Sequence, residues 1–120
     1  MNTILIIAIV IVVFAFLFFQ GTGANVPSID HSEIQQLRQE YPKLQILDVR
    51  TPSEAASGKM KGAKVINYMS PDFSQKVSAL PKDQAYLVYC RSGRRSAGAV
   101  AKMLQLGFAE VYNLRGGYRE

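Results

Sequence analysis

The feature that most limits how this chain folds is an unbroken apolar run near its start. "ILIIAIVIVVFAFLFF", Ile4 to Phe19, covers 16 residues without a charge or a proline. As a helix it is about 24 Å long at roughly 1.5 Å per residue. That is just under the ~30 Å hydrocarbon core of a bilayer, and Thr3 and Gln20 complete the crossing. A chain of 120 residues has room for one domain and little more, too small a body to enclose so apolar a helix. The run therefore predicts one N-terminal transmembrane helix over residues 1–20. A cleavable signal peptide is the competing reading. The small residues of "GTGAN" suit a cleavage site, whereas "MNT" lacks a basic n-region and the apolar core is long for that purpose. All 14 Lys and Arg follow Gln20, which favours a single-pass protein with its globular part on the cytoplasmic side. So does the lone cysteine, which forms no internal disulfide and stays reduced in the cytosol.

The rest of the chain divides into a linker, residues 21–28, and a folded domain, residues 29–120. "IDHSEIQQLRQEY" reads as a helix capped by Asp30 and Glu33, with Ile34, Leu37 and Tyr41 on one face. "LQILDV" is a short strand of the buried type, and "TPSEAASG" a turn leading into one or two helical turns. "AKVINY" follows as a short strand and "PDFSQKVSAL" as a helix with Pro71 in its first turn. "AYLVYC" is dense in β-favouring residues. "RRSAGAVAKMLQLG" is a helix that stops at Gly107, and "AEVYNL" is a last strand before "RGGY". Strands alternating with helices predict an α/β fold, a small parallel sheet covered by helices on both faces. In such sheets, sites form beyond the carboxyl ends of the strands. Asp48 and Cys90 each end a predicted strand, so both fall on that rim.

The stretch "CRSGRRS" concentrates the chemistry. Gly93 lets the backbone curl so that successive N–H groups point inward as an anion-binding nest. The following helix adds unpaired N–H groups and its positive dipole end. A cysteine at the centre of this arrangement favours the thiolate, the nucleophilic form. Arg91, Arg94 and Arg95 add positive charge and planar recognition of oxyanions. The pattern describes a nucleophilic sulfur that meets an anionic substrate.

Over roughly Pro27 to Gly117 the chain resembles the rhodanese (thiosulfate sulfurtransferase) family. "ILDVRTPSEAASGKMKGAKVINY" is similar to that family's Asp-and-Arg strand and the segment after it, with Lys59 where a His is common. "VYCRSGRRSAGAVAKMLQLGFAEVYNLRGGY" is similar to its active-site loop, following helix and closing Gly-Gly. The resemblance implies that Cys90 attacks the outer sulfur of a donor such as thiosulfate, sulfite leaves, and a Cys90 persulfide remains in a nest of residues 91 to 95. An acceptor such as cyanide or a thiol then takes the sulfur. It further implies that Arg91, Ser92, Gly93, Arg94 and Arg95 bind the donor. A cysteine phosphatase places its arginine six positions after the cysteine, where this chain has Ser96; Arg95, at five, fits the shorter rhodanese loop.

Blander roles apply to the surrounding residues. Asp48 and Arg50 form a supporting ion pair more readily than they touch substrate, and Glu54 is structural. His31, at a helix start far from Cys90 in sequence, is a surface residue rather than a general base. No His/Cys cluster has metal-ligand spacing and no phosphate-loop signature is present, so the sequence predicts no metal and no cofactor. The net charge of +5 is scattered, without the aromatic-interleaved basic stripe of a nucleic-acid binder. The partners expected are a small anionic sulfur donor, a thiol or cyanide acceptor, and the membrane through Ile4 to Phe19. The rival readings are a membrane-tethered scaffold that keeps the fold without turnover, and a relay that takes persulfide sulfur from another protein.

Overall fold

The computed structural model describes residues 25–119, so the predicted anchor lies outside the described residues. Among the described residues no helix is long and apolar enough to cross a membrane. Five strands form one sheet: β1 (Ser28–Ile29), β2 (Gln45–Asp48), β3 (Lys64–Val65), β4 (Ala85–Tyr89) and β5 (Glu110–Leu114). Their spatial order is β1-β5-β4-β2-β3, and each neighbouring pair is parallel. The helices are α1 (Ile34–Glu40), α2 (Pro52–Ala56), α3 (Phe73–Ser78) and α4 (Arg94–Gln105), with a 3₁₀ turn over His31–Glu33 before α1.

The central strand shows why helices cover both faces. Every residue of β4 is buried, as a parallel strand between two layers requires. Side chains alternate along it with period two. Tyr86, Val88 and Cys90 join Phe73 and Val77 of α3 and Ala99, Val100 and Met103 of α4 in one core. Leu87 and Tyr89 join Leu37 of α1, Ile29 and Leu114 in the other. Cys90 therefore continues the face that α4 packs against, directly beyond the end of β4.

Three local details differ from the sequence reading. Ser28, placed in the linker, pairs with Asn113 in β1; the Asn113 N–H donates to Pro27 O at 2.8 Å and the Arg115 N–H to Ile29 O at 2.8 Å. "AKVINY" keeps only Lys64–Val65 as ladder, because the chain then bends over the end of β2, with Ile66 N–H on Asp48 O and Tyr68 N–H on Val49 O. Pro71 lies ahead of α3, whose cap position is Asp72. At the start of the domain, Glu33 accepts the Asp30 N–H at 2.9 Å as the capping pattern predicts, while the Asp30 carboxylate turns to Arg115 at 2.8 Å. β2 and β4 are adjacent and in register at Asp48 and Tyr89. That register brings Asp48 and Cys90 to the same rim.

Candidate active site

The site is built on the turn from β4 into α4. Gly93 occupies the cap position of α4 with φ of +101°, a left-handed conformation in which a side chain is strained. That turn aims the Gly93 N–H at Cys90 Sγ, 3.1 Å away. The Ser96 hydroxyl, one turn into the helix and fully buried, lies 3.3 Å from the same sulfur. Burial, the largest single influence, pushes the Cys90 thiol up, since it penalises the charged form. Against it stand hydrogen bonds from the Ser96 side chain and from the N–H groups of Ser96, Gly93 and Ser92. Together they outweigh burial and hold the thiol below its ordinary 9.0. The nest is thus made by residues 92, 93 and 96, and the helix end supplies part of it.

The closing Gly-Gly turn braces this loop from the other side. The Tyr118 N–H donates to Cys90 O at 2.7 Å. Gly117 lies so close to the loop that a Cβ there would strike the Arg91 carbonyl and come within 2.6 Å of Cys90 O. His31, far away in sequence, places Nε2 2.7 Å from Gly117 O. Its place in the fold is structural, holding the turn that holds the loop, and it is half-buried rather than a surface residue.

The arginines divide their work. Arg95 makes a two-pronged pair with Glu54, Nη1 to Oε1 at 2.7 Å and Nη2 to Oε2 at 3.0 Å. Glu54 sits on α2, which Thr51 starts by exchanging hydrogen bonds with it as a capping box. The Arg95 guanidinium, above all, then the bonds from Thr51, bring the Glu54 carboxyl down to about 2. Arg50 is held by Asp48 through Nε and Nη2, the latter at 2.7 Å, and also donates to Gly58 O at 2.6 Å. The Tyr118 ring stacks on it at 4.3 Å, and Tyr89 donates its hydroxyl to Asp48 at 2.8 Å. A buried pair so fully hydrogen-bonded fixes the rim. A cleft of about 370 Å³ opens between these groups, lined by Arg50, Glu54, Ser57, Gly58, Arg91 and Tyr118. Arg91 and Arg94 are exposed, and of these two Arg91 reaches the cleft wall.

The structure therefore gathers Cys90, Ser92, Gly93 and Arg91 at one place, turns Arg95 toward Glu54, and sets Asp48 and Arg50 as a rim support of which Arg50 also faces the cleft. Lys59, at the position where a His was noted, donates Nζ to Ala63 O at 2.8 Å and ties off its own loop. Sequence reasoning missed Ser96 and Asn113, both buried. The signal for Ser96 is its place in the first turn of the helix that follows the cysteine. For Asn113 it is an amide inside the otherwise apolar strand "VYNL".

This sheet, with its cysteine-centred loop at the carboxyl rim, matches the family model described as "Rhodanese-like domain" over residues 30–120. The chain belongs to the rhodanese-like domain family. Among its relatives, a protein named "Sulfurtransferase" from Allochromatium vinosum is 37% identical over 93 residues, which cover 77% of this chain and 84% of that one. The thiosulfate sulfurtransferase GlpE of Pseudomonas aeruginosa is 34% identical over 87 residues, 72% of this chain and 74% of that one. The crystal structure of a rhodanese-like domain protein from Staphylococcus aureus superposes with a TM-score of 0.66 at 31% identity, covering 76% of this chain and 86% of that one. These relations support a transferase that moves sulfur, in general terms.

Proposed function

We propose that this protein transfers sulfane sulfur from an anionic donor such as thiosulfate to a thiophilic acceptor through a Cys90 persulfide. The observation that carries the reading is the environment of Cys90 Sγ, which faces the Gly93 N–H and the Ser96 hydroxyl and titrates below its ordinary value. The Cys90 thiolate attacks the outer sulfur of thiosulfate. A new S–S bond forms, the old one breaks, and sulfite leaves with the electron pair. The persulfide's terminal sulfur then passes to cyanide or a thiolate, which returns the electron pair to Sγ and restores the thiolate. Arg91 and Arg50, in the cleft wall, meet the donor's sulfonate oxygens, with Arg94 adding to the local field.

The test is intact mass of the protein before and after thiosulfate. One added sulfur atom, lost on adding cyanide and missing in Cys90→Ser, is the expected result. No gain in a folded sample removes thiosulfate as the donor. A second reading, a relay taking sulfur from a protein-borne persulfide, is favoured by the Glu54 carboxylate, which occupies the Arg95 charge beside the cleft. It predicts a gain of sulfur from a small-molecule persulfide and none from thiosulfate.

We also propose that residues 1–20 tether the domain to a membrane with Cys90 on the cytoplasmic side. Retention in the membrane fraction after alkaline carbonate washing is expected. Labelling of Cys90 on intact cells by a membrane-impermeant thiol reagent would overturn the orientation.

A further inference from the structure

The Ser96 hydroxyl lies within donating distance of two acceptors and has one proton to give. Asn113 Oδ1 is 2.5 Å from Ser96 Oγ, and Cys90 Sγ is 3.3 Å from it. The two bonds are alternatives whenever Ser96 is the donor. Which way the Asn113 amide faces is set by a further contact, Nδ2 to Gly93 O at 3.4 Å. A flipped amide would oppose two carbonyl oxygens there, so Oδ1 is the atom presented to Ser96. Asn113 itself is fixed in β5, its N–H on Pro27 O and its neighbours in register with β1 and β4.

We propose that Asn113 is a positioning residue that holds the Ser96 hydroxyl proton while the Cys90 sulfur is neutral and yields it when that sulfur becomes an anion. With a neutral Sγ, Ser96 donates to Asn113 and its lone pairs face the sulfur. With a thiolate, the hydroxyl rotates, its hydrogen turns to Sγ, and Asn113 loses that bond. No proton changes owner; one O–H bond turns through an angle. The inference rests on the proposed persulfide chemistry only for its use. In that cycle Sγ alternates between thiolate and the neutral inner sulfur of a persulfide, so Ser96 turns once in each half-reaction. Asn113 favours the neutral, sulfur-loaded form over the free thiolate, and it tempers a nest that otherwise pulls only toward the anion.

The test needs no sulfur donor. The pH dependence of Cys90 alkylation by iodoacetamide reads the thiolate population in the full chain. Losing the competitor, Asn113→Ala shifts the alkylation midpoint to lower pH, with about a fivefold rise in the thiolate-to-thiol ratio, the worth of one neutral hydrogen bond. Ser96→Ala shifts it to higher pH. In the Ser96→Ala background, Asn113→Ala adds nothing, because Asn113 acts through the hydroxyl. The charged and titratable groups around the sulfur are Arg91, Arg94 and Arg95 from its own loop and helix, Asp48 and Arg50 at the end of β2, Glu54 on α2, and the Tyr118 hydroxyl after β5. All of them stay in place in these variants, so their fields cancel in the comparison. Asn113→Leu, nearer in volume, replaces the alanine if the latter unfolds. The unmodified protein gives an independent readout: the Asn113 side-chain carbonyl carbon resonance moves with the Cys90 midpoint and does not move in Cys90→Ser. A midpoint that rises or stays put in the Asn113 variants, an equal shift without Ser96, or a carbonyl resonance indifferent to Cys90 titration overturns the proposal. If these hold while thiosulfate adds no sulfur, the donor assignment alone fails.

Discussion

At Gly93 the backbone does two things that a side chain would disturb together. Its φ of +101° turns the chain into α4, and the same turn points its N–H at Cys90. Gly93→Ala is expected to cost about 1–2 kcal/mol through left-handed strain. It should also raise the alkylation midpoint of Cys90, since one of the bonds favouring the thiolate is misdirected; urea unfolding and alkylation rates check the two effects separately. Glu54 gives a prediction with a sign fixed by its titration. Its folded value of about 2 lies below the ordinary 4.5. The stabilisation by the Arg95 pair is therefore complete above 4.5 and disappears as pH falls from there toward 2. The urea midpoint of Glu54→Gln should lie below that of the unaltered protein at pH 6, with the gap closing under acid. Cys90, Gly93 and the arginines were legible as a site because their chemistry sits within one short stretch. Ser96 was overlooked although it is in the same stretch, and Asn113 comes from a strand 17 residues beyond it, a contact that only the packing of α4 on β5 creates.

Among the elements, β4 was readable from its density of β-favouring residues, all five of them buried, and α4 because twelve residues are long enough to show an amphipathic helix. β1 was not, since two residues carry no periodicity, and β3 was read as a strand longer than the two residues it keeps; both exist because β5 and β2 offer edges to pair with. Even so, β1 contributes to the interior: Ile29 is buried against Leu37 and Leu114. Ile29→Ala is expected to destabilise the domain by about 2–3 kcal/mol, read by denaturant unfolding. On β4, Tyr89 ties three segments together, donating to Asp48 and accepting the Met60 N–H at 2.9 Å. Tyr89→Phe leaves both partners short of a bond in a buried place and should cost about 1–3 kcal/mol. Burial, the largest cause, together with Asp48 pushes the Tyr89 hydroxyl up to about 12. This group's stabilising share is present below its ordinary 10.0 and is lost as pH rises toward 12, so the difference between Tyr89→Phe and the unaltered protein should shrink in strong alkali.

Over the whole molecule the charge is +5, and two of the exposed arginines flank the cysteine loop. An electrostatic field of that sign raises the encounter rate of a dianion and fades as added salt shortens its reach, about 8 Å at physiological ionic strength. With thiosulfate as donor, kcat/KM should fall several-fold between low and high salt, and reversing Arg91 and Arg94 to glutamate should abolish most of that dependence. Salt-independent turnover would speak against charge steering. The parallel strand order has a mechanical consequence. β1 is the first strand of the described chain, and it is fastened to β5 by short backbone bonds at Pro27 and Ile29. β5 carries Asn113 and runs on into Gly117, which bears on the cysteine loop. A pull on the chain ahead of Pro27 is borne first by that seam and would loosen the sulfur cradle before it reached the central strands. The thiol would then register tension as a change in reactivity, measurable as the alkylation rate of single molecules held under force.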